Sequence, residues 1–155
     1  MMQTTDVVTQ SVLVPLDPEA AYALFVERFD SWWPRDGHHI GEGELAEVAI
    51  EQRAGGRWYE RTADGSECDW GYVRELDPPN RILLAWHLNP QFDFDPDPDK
   101  ATQVEVLFHA EEHGTRVTLE HRGFHVHGDA GAAMRDAVGG EGGWSGLLAL
   151  YRAAV

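Results

Sequence analysis

The side chains able to do chemistry in this chain are few, and their spacing narrows what each could do. His121, His125 and His127 fall at alternate positions in His-Arg-Gly-Phe-His-Val-His, so an unbroken strand would set three imidazoles on one face, as a zinc site requires. Gly123 invites a break there, and no cysteine or carboxylate stands at a standard ligand spacing, so no metal is expected. Adjacent His38 and His39 rarely reach the same ion, and His38 or His39 suits a single polar contact better. His121 shares parity with Val117 and Leu119, which makes it a candidate for one titratable group inside an apolar interior, available for hydrogen bonding or acid–base work. Cys68 lies between Glu67 and Asp69, whose charges raise a thiol pKa and argue against a nucleophile.

Asp93 to Asp99 begins like a calcium loop, but Pro98 stands where the turn needs glycine and Val104 where a bidentate glutamate belongs. It reads as a solvated loop. Gly139 to Gly143 matches no phosphate loop, and no Ser-His-Asp or Cys-His arrangement has positional support. The six tryptophans, Trp32, Trp33, Trp58, Trp70, Trp86 and Trp144, are the more telling set. Each offers a large apolar face and one N–H donor, which suits either simple core packing or the wall of a cavity for an amphipathic guest.

The elements that must position these residues follow from periodicity. Val7 to Val14 is rich in β-branched residues and stops at Pro15, as a strand does. Asp17-Pro18-Glu19 starts a helix: Asp17 can cap, Pro18 suits the first turn and Glu19 the positive dipole end. Two short helices are expected within 18–33, closed by Pro34. Strands follow at 44–52, 56–62, 67–76, 81–88, 102–110 and 115–124, separated by Gly-, Asn- and Pro-bearing turns. Six consecutive strands with short turns form an antiparallel meander. Asp129 to Val138 reads as a short separate helix. Beyond the glycine run, Trp144, Leu147, Leu148, Tyr151 and Val155 make an amphipathic stripe.

With 155 residues the chain is the size of one domain and needs no disulfide or metal to build a core. Twelve basic against twenty-seven acidic residues give 12 − 27 = −15, a field that repels nucleic acid and anionic lipid surfaces. A single cysteine rules out an internal disulfide and fits a reducing compartment. No apolar run reaches the roughly 18 residues of a membrane span, and residues 1–10 lack the features of a secretory leader, so a cytoplasmic location is expected.

Several motifs, taken in order, resemble a known family. They are Trp32-Trp33, Gly55-Gly56-Arg57-Trp58, Asp64-Gly65, Gly71-Tyr72-Val73 with Asp77-Pro78-Pro79-Asn80-Arg81, Leu84-Ala85-Trp86, Gly114 to His121 and Gly143-Trp144. Together with the element order, they resemble the START-like (Bet v 1-like, SRPBCC) superfamily, in the branch of the activator of Hsp-90 ATPase homologues, over nearly the whole chain. The resemblance implies an α+β helix-grip fold: a curved antiparallel sheet wrapped around a long C-terminal helix, with two short helices after the first strand, in one domain spanning 1–155. It also implies a deep cavity between sheet and helix, and it brings no fixed catalytic motif.

On that footing the expected function is binding of a small hydrophobic or aromatic molecule, as a carrier, sensor or sequestering protein. The expected lining is Trp32, Trp33, His38, Trp58, Val73, Trp86, Phe108, Leu119, His121, Trp144, Leu148 and Tyr151. No cofactor, no nucleic acid and no membrane span is expected, and a homodimer is admissible. Two alternatives stand beside it. One is a polyketide cyclase-, aromatase- or hydrolase-like enzyme using the same cavity, with His121 acting beside Glu60 or Tyr59. The other is a co-chaperone-like or stress-response interaction module, which would show an exposed apolar patch instead of an enclosed pocket.

Overall fold

The computed structural model describes residues 6–35, 38–140 and 142–155. Seven strands form one antiparallel sheet: β1 (Val7–Val14), β2 (Leu45–Ile50), β3 (Arg57–Thr62), β4 (Glu67–Asp77), β5 (Arg81–Trp86), β6 (Thr102–Glu111) and β7 (Gly114–Arg122). Their spatial order is β1-β7-β6-β5-β4-β3-β2, so the meander runs unbroken and β1 returns to pair beside β7. Among the described residues four α-helices complete the fold: α1 (Pro18–Tyr22), α2 (Phe29–Trp32), α3 (Ala130–Gly139) and α4 (Trp144–Ala153). This is the helix-grip architecture, with a curled sheet closed by the C-terminal helical segment.

Alternation along the strands decides the faces. In β7, Thr115, Val117, Leu119 and His121 are buried while Arg116, Thr118, Glu120 and Arg122 are half-exposed, the period of two that a one-sided sheet demands. The outer face is laced with ion pairs: Arg57 with Asp69 and Glu67, Arg81 with Glu75 and Glu105, and Arg122 with Glu105 and Glu120. Register shifts fall at Leu45/Glu47, Trp58/Tyr59 and Val73/Glu75, all in the β2–β5 half. Bulges bend a strand and sharpen its twist, so this half curls over the helices while β6, β7 and β1 pair regularly.

The short helices form as the local sequence dictates. Asp17 accepts the Ala20 N–H at 2.8 Å as cap of α1, and Ala23–Glu27 winds one wider, π-type turn before α2. At the other end the glycine run breaks the helix into α3 and α4. A Cβ on Gly143 would stand 2.0 Å from the Val138 carbonyl oxygen, so only glycine lets the two helices meet this closely. The stripe of α4 buries Trp144, Leu147, Leu148 and Tyr151, but Val155 lies past the helix end and is exposed. β7 stops at Arg122, because Gly123 takes φ 93° and turns the chain into a short 3-10 turn, Phe124–His127.

Candidate functional site

Where the C-terminal segment meets the bulged half of the sheet, packing leaves a cavity of about 390 Å³. Trp33, Trp70, Trp86 and Trp144 form its aromatic wall, with Ile40, Leu88, Val138 and Leu147 filling between them and Phe92 at the rim. Its polar lining side chains among the described residues are two imidazoles, His38 and His39.

Five indoles close a ring of contacts around this region. Centroids are 5.7 Å apart for Trp58–Trp70, 5.2 Å for Trp70–Trp33, 6.3 Å for Trp33–Trp144, 5.9 Å for Trp144–Trp86 and 5.5 Å for Trp86–Trp58. Tilted and edge-on geometries prevail, as the ring quadrupoles prefer. The indole N–H groups show what each ring is fixed by. Trp33 donates to the His38 carbonyl at 2.9 Å, Trp70 to Glu60 Oε1 at 2.7 Å and Trp144 to His121 Nδ1 at 3.0 Å. Trp58 and Trp86 have buried N–H groups with no protein acceptor among the described residues.

His121 stands behind the aromatic wall and not on the cavity. It is fully buried on β7, 4.9 Å from the Trp86 ring and 4.7 Å from Phe124. An indole N–H can only donate, so Nδ1 is the bare nitrogen and Nε2 carries the proton, which it gives to Thr102 Oγ1 at 2.7 Å. Both nitrogens are therefore committed. Burial, aided by the nearby His127, pushes its pKa down to about 3. The expectation that His121 is the titratable group of the cavity does not hold: it is a neutral structural residue.

The polar edge is built instead from Glu60 on β3. Its buried carboxylate accepts the Ile40 N–H at 2.6 Å and the Gly41 N–H at 2.9 Å, in addition to Trp70. These bonds tie the loop after α2 across the sheet. A Cβ on Gly41 would come within 3.0 Å of Glu60 Oε2, so glycine makes the approach possible. His39 Nδ1 lies 3.0 Å from the Gly41 carbonyl and 3.6 Å from Glu60 Oε2. His38 Nε2 donates to the Gly142 carbonyl at 2.8 Å, bridging the mouth to the α3–α4 junction. No hydrogen bond among the described residues joins Glu60 to His121. Tyr59 lies on β3 with the Arg57 guanidinium 4.1 Å over its ring.

Of the residues expected to line the cavity, Trp33, His38, Trp86 and Trp144 stand on its wall. Trp32, Trp58, Val73, Phe108, Leu119, Leu148 and Tyr151 are buried in the core but not on that wall, and His121 joins them. Trp32 and Tyr151 belong to the layer under α1: Trp32 donates to the Leu24 carbonyl at 3.1 Å and Tyr151 to the Ala21 carbonyl at 2.8 Å. Lining residues the sequence did not single out are Trp70 as a wall residue, Ile40, Leu88, Phe92, Ala137 and Val138. Phe92 has φ 62°, rare for a bulky side chain, and is held there by Asn89, whose carbonyl accepts its N–H at 2.7 Å.

The remaining candidates resolve simply. His125 pairs with Asp6 at 2.7 Å on the 3-10 turn, away from the face of His121. Among the described residues no three His, Cys, Asp or Glu side chains gather around one ion position. Burial first, then Glu60 and Asp69, raise the Cys68 thiol pKa. No helix among the described residues is long and apolar enough to cross a membrane.

Comparison with known proteins adds a family to this geometry. The family model described as activator of Hsp90 ATPase homolog 1-like protein matches residues 15–149. Among solved structures, an anthrahydroquino-gamma-pyrone synthase, Txn09, is 34% identical over 99% of this chain and 100% of its own, with a TM-score of 0.67. The self-sacrificing resistance protein CalC from Micromonospora echinospora is 26% identical over 97% of this chain and 94% of its own, TM-score 0.66. The Aha1 dimer from Colwellia psychrerythraea, at 16% identity, 96% and 94% coverage and TM-score 0.61, shares the fold. No curated protein matches the sequence.

Proposed function

We propose a binding function for this chain, which belongs to the activator of Hsp90 ATPase homolog 1-like family: it holds a planar, hydrophobic or aromatic small molecule between its sheet and its C-terminal helices. The carrying observation is the cavity of about 390 Å³ walled by Trp33, Trp70, Trp86 and Trp144. That volume falls in the usual range of small-molecule pockets, which are apolar with a few placed polar groups. Flat indole walls favour a flat guest, because stacked and edge-on ring contacts add to simple burial. Two relatives above one quarter identity are a synthase of an anthrahydroquino-gamma-pyrone and a resistance protein, and the first name fits a small-molecule guest. The exposed large apolar side chains among the described residues lie on a loop, on β6 and at the end of α4, which favours a guest inside over a protein partner outside.

Native mass spectrometry of the purified protein, with anthraquinone titration followed by tryptophan fluorescence, tests this reading. The expected result is saturable quenching that Ala137→Trp, placed at the cavity wall, abolishes. Absence of both a native mass adduct and quenching across anthraquinone, naphthalene and a fatty acid would overturn it. A second reading, chemical conversion of the guest in the same cavity, rests on the 34% identical synthase. It predicts a change in the mass of a polycyclic substrate after incubation.

A further inference from the structure

The cavity's polar edge carries more than a place for an apolar guest. A carbonyl oxygen can only accept, so the 3.0 Å contact between His39 Nδ1 and the Gly41 carbonyl puts the ring proton on Nδ1. In the neutral ring Nε2 is then a lone pair, on the edge opposite Glu60, and it has no partner among the described residues. The His39 side chain lines the cavity and is 17% exposed. Its proton-bearing edge faces Gly41 O and the buried Glu60 carboxylate, 3.6 Å away. Among the described residues, Cys68 on β4, whose sulfur is 3.3 Å from where a Gly41 Cβ would stand, and His38 also face this corner. His38 donates through Nε2 to Gly142, which ties its ring to the α3–α4 junction and makes Nδ1 its acceptor nitrogen, so variants at His39 separate the two rings.

Resting on the aromatic-guest reading, we propose that the site takes a hydroxyl-bearing aromatic molecule and that His39 Nε2 is the base that receives its phenolic proton. The guest's O–H bond breaks, an Nε2–H bond forms, and the electron pair stays on the phenolate oxygen. The resulting imidazolium is held by Gly41 O and Glu60. Magnitudes restrict the guest class. An ordinary phenol titrates near pH 10 and imidazole near 6.5, a gap of about 3.5 units that favours a hydrogen bond without transfer. A phenol acidified by a conjugated ring carbonyl closes most of that gap, so a hydroxyquinone or hydroxyanthraquinone is the class the site selects.

Alizarin, whose phenolate absorbs at longer wavelength than its neutral form, reads this directly, and unsubstituted anthraquinone serves as a partner probe without a hydroxyl. Wild-type protein is expected to lower the apparent pKa of bound alizarin by about one unit or more, a tenfold shift in the ionised fraction. His39→Gln and His39→Phe should bind the dye without that shift, and Glu60→Gln should reduce it. Anthraquinone should bind wild type and give no ionisation band. Alizarin bound by wild type with no phenolate band, or an undiminished band in both His39 variants, overturns the proton transfer and leaves the aromatic cavity standing. Failure of both probes to bind overturns the cavity reading and this inference with it.

Discussion

Two polar knots are set into the same aromatic cluster, and they are built alike. At one, Trp144 donates to His121; at the other, Trp70 donates to Glu60, beside which His39 is placed. The first is closed: His121 is wholly buried, both ring nitrogens are bonded, and burial drives its pKa to about 3. The second is open on one side, because Gly41 and Glu60 occupy one edge of His39 and its side chain lines the cavity. Residue type does not separate a structural histidine from a chemical one here. The number of ring nitrogens already satisfied does, together with access.

That contrast can be broken at several points. The largest expected effect is at Trp144, which serves both the closed knot and the cavity wall. Trp144→Ala should cost about 3–5 kcal/mol, as truncation of a buried aromatic does, read from the denaturant midpoint. A cost below about 1 kcal/mol would mean that the ring is not part of a packed wall.

His121→Leu comes next. It strands the Thr102 hydroxyl and the Trp144 N–H, for about 2–3 kcal/mol at neutral pH. It also changes acid sensitivity, with a definite sign. The folded-state pKa lies below the ordinary 6.5, so the unfolded chain takes up a proton that the native state refuses. Stability from this group is whole above about pH 6.5 and is lost as pH falls toward 3. Hydrogen-bonded carboxylates such as Glu105, held low chiefly by Arg81, act in the same sense at lower pH. The test is therefore the difference in pH slope between wild type and His121→Leu between pH 6.5 and 5. Identical slopes would refute the neutral, sealed histidine.

Glu60→Gln should cost about 1–2 kcal/mol, because an amide cannot accept from three donors without turning its NH2 toward one of them. Faster amide exchange at Ile40 and Gly41 would locate the loss in the loop, and unchanged exchange there would place it elsewhere. Phe92→Ala, at the rim, should leave stability within about 0.5 kcal/mol while speeding release of anthraquinone in a stopped-flow chase. The smallest effect is expected at His39. Replacement by Gln should move the unfolding midpoint by less than about 0.5 kcal/mol. A loss near that of His121→Leu would erase the difference between the two knots.

Much of the architecture was legible because it repeats at short range. The period of two along Thr115–Arg122, the Asp17-Pro18 start and the Trp144–Tyr151 stripe each appear in the structure where the spacing put them. The glycine run did separate two helices, since Gly143 must pass close to Val138 O. Errors came where a local pattern was extended past its cause. The alternation through His121 stops at Gly123, and the helical stripe stops before Val155. Trp70 was hard to place on a wall because Glu67, Cys68 and Asp69 before it read as solvent-facing. Phe92 was invisible in a loop, since nothing in the residue type announces a positive φ.

What the sequence by itself determined is the set of faces: which residues turn inward, where elements start and stop, and that the interior is rich in indole. Side-chain period and turn chemistry are local, so they survive in the one-dimensional pattern. Only the tertiary structure decided which indoles border empty space, and which histidine has both ring nitrogens sealed. A cavity is what remains after every packed volume is subtracted, so no single residue encodes it. A tautomer depends on partners remote in the chain, as with His38 and Gly142, 104 residues apart, or His121 and Trp144. Those distances close only when the sheet curls over its helices.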